Sequence, residues 1–101
     1  MFYIVEETDL TITYATESFE EALEQYKIES QHTSRWHNPA LYFSDEEFEV
    51  RDYLKDPNAL CLYSTYHSPT DEPRKHRAEF RKRFPEIGEQ VEKALKHVAS
   101  W

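Results

Sequence analysis

A chain of 101 residues with 20 acidic and 12 basic side chains, a formal charge of −8 and 39% hydrophobic residues has material for one small core and for no second domain. Its single glycine, Gly88, excludes a dinucleotide fingerprint, a phosphate-binding loop and a nucleophile elbow, each of which needs glycine where the backbone bends sharply or touches phosphate. Its single cysteine, Cys61, excludes an intrachain disulfide and a multi-cysteine zinc site.

The opening MFYIVEETD lacks the basic region and apolar run of a signal peptide. No stretch reaches the roughly 20 apolar residues that span a bilayer. A cytoplasmic protein without membrane contact is expected.

Residues 2–7, FYIVEE, are β-branched and aromatic and read as a strand. Residues 10–14, LTITY, alternate apolar residues with Thr, the period of a half-buried strand. Thr8 and Asp9 supply turn chemistry between them. An N-terminal hairpin is expected, with Leu10, Ile12 and Tyr14 on one face.

Ser18 then opens a helix. Ser18 to Glu21 is a capping box, a hydroxyl acceptor with a glutamate three residues on. Phe19, Ala22, Leu23 and Tyr26 recur at i, i+3, i+4 and i+7 and form a buried stripe. Glu17, Glu20, Glu21 and Glu24 recur on the opposite side. The helix is expected to fade near Glu29 to Gln31, before an irregular loop over 32–39.

Residues 40–43, ALYF, read as a short strand. Ser44 to Glu47 is a second capping-box pattern and points to a short helix over 45–55. Phe48, Val50 and Leu54 also alternate acceptably as a strand. Asp56-Pro57-Asn58 is a turn in either case. Residues 59–66, ALCLYSTY, read as a strand and 67–72 as a polar linker.

Thr70 or Asp71 caps a final helical region with Pro73 in its first turn, where proline is tolerated. Phe80, Phe84, Ile87, Val91, Ala94, Val98 and Trp101 then step by alternating fours and threes, with Leu95 widening the stripe. The phase survives Pro85. It predicts two nearly coaxial helices or one long helix kinked near Pro85, lying across a sheet. A short coiled coil fits the same rhythm less well. The expected class is α+β: a small antiparallel or mixed sheet with helices packed on one face.

Charge is uneven. Residues 1–60 carry a net −10 and residues 61–101 a net +2. The acids form three patches: the helical row of Glu17, Glu20, Glu21 and Glu24; Asp45, Glu46, Glu47 and Glu49; and Glu6, Glu7 and Asp9. One acidic helix face is ordinary on a soluble protein and only keeps it soluble. Three patches within 50 residues can imitate the phosphate tracks of nucleic acid, which carries one charge per roughly 1.7 Å of duplex. The cations gather instead at Arg74, Lys75, Arg77, Arg81, Lys82 and Arg83. Such a cluster binds nucleic acid, docks on the protein's own acidic half, or is a solvated face. At a net charge of −8 the intramolecular and solvated roles rank first, and direct nucleic-acid binding is not expected.

No catalytic motif is present. His32, His37, His67, His76 and His97 show no metal-ligand spacing. Ser64, His67 and Asp71 are too close in sequence, and too unsupported, for a catalytic triad. Cys61 reads as a small buried hydrophobe. Neither a metal nor a cofactor is expected. Eight aromatics (Tyr3, Tyr14, Trp36, Tyr42, Tyr53, Tyr63, Tyr66 and Trp101) exceed the needs of so small a core. Tyr and Trp concentrate at binding hot spots, so Trp36 and Tyr66 join the acids as expected partner contacts.

These features point to a non-catalytic inhibitor, of the kind phages and mobile elements use against defence systems. Its acidic face would compete with nucleic acid for a basic surface on a nucleic-acid-processing protein. An immunity protein that neutralises a cognate nuclease toxin is one alternative. A small RNA-binding or regulatory protein using 74–83 is another. A monomer is expected, or a homodimer through the C-terminal helix.

Overall fold

In chain order the elements are β1 (Phe2–Glu6), β2 (Thr11–Thr16), α1 (Phe19–Ser30), β3 (Pro39–Phe43), β4 (Leu60–Ser64), α2 (Asp71–Arg83) and α3 (Pro85–Val98). The computed structural model describes residues 1–8, 11–31, 37–45, 59–64 and 71–98, and of 71, 72 and 95–98 the backbone alone. The strands form one antiparallel sheet in the order β2-β1-β3-β4. The protein is therefore α+β, with the described helices on one face of the sheet. The loop over 32–36, all of the expected element over 45–55 except Asp45, the Asp56-Pro57-Asn58 turn and the linker over 67–70 lie outside the described residues, as do Asp9, Leu10, Tyr66 and Trp101.

The helix-side core joins Phe2 and Ile4 of β1, Leu41 and Phe43 of β3, and Leu60, Leu62 and Tyr63 of β4 to Phe19, Ala22 and Tyr26 of α1 and to Phe80 and Val91. Its centre is aromatic. The Phe80 ring lies 5.0 Å from that of Phe43, 5.2 Å from Phe84 and 6.1 Å from Phe2, in the edge and tilted geometries that aromatic pairs prefer. The opposite face of the sheet is buried as well, through Tyr3, Val5, Ala40, Tyr42, Ala59 and Cys61. All of β1 and β3 is consequently inaccessible. Burial on both faces explains why FYIVE and PALYF show no alternation of apolar and polar residues.

Tyr3, Tyr42 and Tyr63 are at most 8% exposed, so these three rings serve the core and are not surplus to it.

Two bulges correct the expected faces. Ile4 pairs with Tyr14 but Val5 with Ile12, leaving Thr13 extra in β2. Tyr14 accordingly packs on the helix-side core while Ile12 lies beside Val5 on the other face, 37% exposed. The two were expected together. Leu41 likewise pairs with Tyr63 but Tyr42 with Cys61, leaving Leu62 extra in β4. Leu62 and Tyr63 both point to the helix side as a result. One extra residue resets the alternation of every side chain beyond it.

α1 forms as its periodicity dictates, with Phe19, Ala22 and Tyr26 buried. Ser18 Oγ accepts the Glu21 N–H at 3.3 Å. The return bond of the capping box is relayed: Thr16 Oγ1 accepts the Ser18 N–H at 3.1 Å and donates to Glu21 at 2.8 Å.

The C-terminal region breaks at Phe84 and Pro85, where either two near-coaxial helices or one helix kinked near Pro85 was expected, and it bends there sharply. Phe84 separates α2 from α3, and Pro85 opens α3, the position where its missing N–H costs nothing. A Cβ on Gly88 would stand 2.6 Å from the Arg81 Cα. In a continuous helix seven residues rise about 10 Å, so the two backbones meet only because the chain bends at Phe84. The lone glycine serves that close approach.

Candidate protein-docking face

α1 sorts its charges completely. Its apolar stripe faces the sheet, and Glu20, Glu21 and Glu24 stand exposed on the other side; Glu17, expected in the same row, is exposed but precedes the Ser18 cap and lies outside the helix. Ile28 continues the same outward face one turn beyond Glu24 and is 50% exposed. The row on the helix is therefore three carboxylates ending in an apolar side chain. The sequence reading missed Ile28, although its spacing of i+4 from Glu24 was the available signal. The Met1 amine donates to the Ser44 carbonyl at 3.0 Å. Burial lowers its pKa, against the opposing pull of Glu17.

The flank of α1 nearest β2 is also acidic. Glu21 takes the Thr16 hydroxyl. Glu29 accepts from Thr13 at 2.8 Å and from Gln25 at 3.0 Å, with His37 Nε2 4.0 Å away.

α2 treats its charges differently. Arg77 is half-buried, donates to the Leu62 carbonyl at 2.8 Å and lies 3.8 Å from the Glu92 carboxylate. His76 Nδ1 accepts the Cys61 N–H at 2.8 Å. These two side chains hold backbone groups of the edge strand β4 that no neighbouring strand can take. Arg83 pairs with Asp45 and stacks over Phe84 and Phe43, 5.4 and 5.9 Å from the ring centroids. Arg74, Lys75, Arg81 and Lys82 are exposed. The expected cationic cluster is thus divided between two structural arginines and four outward cations. Asp45, expected on the acidic docking face, already has a cation of its own chain. Glu46, Glu47, Glu49, Trp36 and Tyr66 lie outside the described residues.

At the far end of the sheet the acids are structural. Glu6 is 4% exposed, and its carboxylate accepts the Asn38 N–H. Glu7 accepts the Ser64 hydroxyl at 2.6 Å, and Asn38 Nδ2 donates to Thr8 at 3.0 Å. These bonds tie strand ends together. His67, which with Ser64 and Asp71 was considered for a triad, lies outside the described residues. Cys61 is buried and donates to the Tyr63 carbonyl. Among the described residues no group of three or more His, Cys, Asp or Glu is arranged to hold a metal ion. No described helix is long and apolar enough to cross a membrane.

No family model matches the chain, and neither a curated protein nor a solved structure matches it.

Proposed function

We propose that the protein is a non-catalytic inhibitor that binds a basic surface of a nucleic-acid-processing protein, in the manner of phage or mobile-element anti-defence proteins. The observation that carries this reading is the outward face of α1, with Glu20, Glu21 and Glu24 in one row ending at the exposed Ile28, and the exposed Glu17 just before the helix cap. Neighbouring carboxylates three and four residues apart stand about 5–6 Å from each other. Such a row steers the encounter with a cationic groove and pairs with Arg or Lys that otherwise hold phosphates. Each exposed pair contributes only about 0–1 kcal/mol, so apolar contacts such as Ile28 supply the remaining hold. An immunity protein against a nuclease toxin would use the same face.

The experiment is affinity capture from the host with the wild-type chain and with a Glu20→Lys, Glu21→Lys, Glu24→Lys variant. The wild type should retain a basic nucleic-acid-binding protein that excess duplex DNA displaces, and the variant should lose it. Equal capture by both overturns the reading. A second reading, a small RNA-binding or regulatory protein, draws on the exposed Arg74, Lys75, Arg81 and Lys82. A gel shift with duplex DNA, single-stranded DNA and RNA separates the two. Tight binding near physiological salt that is lost in an Arg74→Glu, Lys75→Glu, Arg81→Glu, Lys82→Glu variant favours the second. Arg77 is left intact there because its loss would unseal β4.

A further inference from the structure

The two edges of the sheet are finished in opposite ways. β4 has its outer backbone groups taken by His76 and Arg77 of α2. β2 is the other edge. Thr11, Ile12, Thr13 and Ala15 are exposed, and Tyr14 and Thr16 are half-buried. Alternate residues of an edge strand turn their N–H and C=O groups outward. Edges of this kind are ordinarily guarded by Lys, by proline or by a covering element. β2 reads TITYAT, with neither charge nor proline. Among the described residues its one guarding device is the bulge at Thr13, which confines a regular ladder to the short stretches on either side.

We propose that the free edge of β2 is a strand-addition site, which takes a short extended segment of a partner protein bearing Lys or Arg at alternate positions. An added strand would lie about 4.8 Å beyond β2. Its side chains on the helix side would then meet the flank of α1 that carries Glu21, Gln25 and Glu29, with Glu24 and Ile28 next around the helix. Glu21 and Glu29 are already anchored to this strand through Thr16 and Thr13. Cations at alternate positions complement that flank. A second copy of the chain does not, because a symmetric β2–β2 contact would bring two acidic α1 flanks together at a net charge of −8 per chain. Main-chain bonds would supply affinity and the α1 carboxylates specificity, the division used in strand-addition recognition. The cationic character of the partner rests on the acidic-face reading; the openness of the edge does not.

The test uses the isotope-labelled full chain and a capped Lys-Thr octapeptide, (Lys-Thr)4. Two further versions are N-methylated on the lysine amides or on the threonine amides, and a fourth has Glu for Lys. N-methylation removes donors along one edge of the peptide and leaves the protein and all charges unaltered. The Lys-Thr peptide should shift the amides of Thr11–Thr16 and slow their exchange. One methylated version should bind about tenfold or more weakly and the other like the parent. The Glu peptide should not bind. Equal binding of both methylated peptides, or shifts confined to α1, overturns strand addition and leaves the acidic-face reading standing. Equal binding of the Glu peptide at β2 overturns the cationic partner and that reading with it. Amides of β2 that are protected without peptide in a sedimenting dimer assign the edge to a second copy. No response at β2 to any of the four peptides overturns the proposal.

Discussion

The half of the molecule built from β4 and α2 folds its charges into the structure, whereas the half built from β2 and α1 leaves them outside. Arg77 and His76 hold backbone groups of β4, and Arg83 is held by Asp45 and two phenylalanine rings. On the other side Glu20, Glu21 and Glu24 of α1 face away from the sheet, and β2 has no covering element among the described residues. A cluster of charge in sequence therefore has no fixed meaning. Its role depends on whether backbone groups or opposite charges lie within reach.

Four measurements test this contrast. The largest effect is expected at Phe80, which is wholly buried where the two halves meet on Phe2 and Phe43. Phe80→Ala should cost about 3–5 kcal/mol in a urea titration. A loss under 1 kcal/mol would mean that the halves are stabilised separately.

Alkali should come next. Burial pushes the Tyr26 and Tyr63 hydroxyls up, each against a weaker opposing pull: the Ser30 hydrogen bond for Tyr26 and the Arg77 charge for Tyr63. The folded state therefore keeps these protons longer than the unfolded chain does. Their contribution to stability is complete below the ordinary tyrosine value, near pH 10, and is withdrawn as pH rises past it. Midpoints of unfolding measured from pH 8 to 11 should fall only in the upper part of that range. A decline that begins near pH 8 would point to a different group.

Arg77→Leu should follow, at about 1–3 kcal/mol, because the Leu62 carbonyl loses a charged donor while the aliphatic volume is kept. Lys82→Gln on the exposed side of α2 serves as the control and should stay within about 0.5 kcal/mol. Equal effects at the two positions would erase the distinction between structural and outward cations. The smallest change is expected at Glu24→Gln, again within about 0.5 kcal/mol. A clear destabilisation there would show the α1 row to be part of the fold.

Much of the fold was legible because local periodicity and capping agreed with tertiary placement. Ser18, Phe19, Ala22 and Tyr26 announced α1 and its buried side. The aromatic and β-branched runs announced β1, β3 and β4. What failed was whatever depended on a single residue acting at long range. Nothing in TITYAT or LCLYS marks Thr13 or Leu62 as extra, because a bulge is a mismatch between two strands. The candidate site was legible in its Glu row but not in its limits. Ile28 follows the same spacing and was not among the expected contacts. Arg77 and Arg81 share one side of a helical wheel, yet only Arg77 meets a β4 carbonyl.

The sequence by itself determined the class of the fold, the buried stripe of α1 and the acidic row opposite it, since these follow from spacings of two, three and four residues along one chain. Only the tertiary structure decided which strand edge is sealed, which cations are consumed and where Gly88 is needed. Those outcomes turn on distances between segments far apart in sequence: Arg77 to the Leu62 carbonyl, His76 to the Cys61 amide, Arg83 to Asp45, and the open flank of β2 that no described segment reaches. A helix wheel orders residues around one axis, but it holds no information about what stands beside that axis.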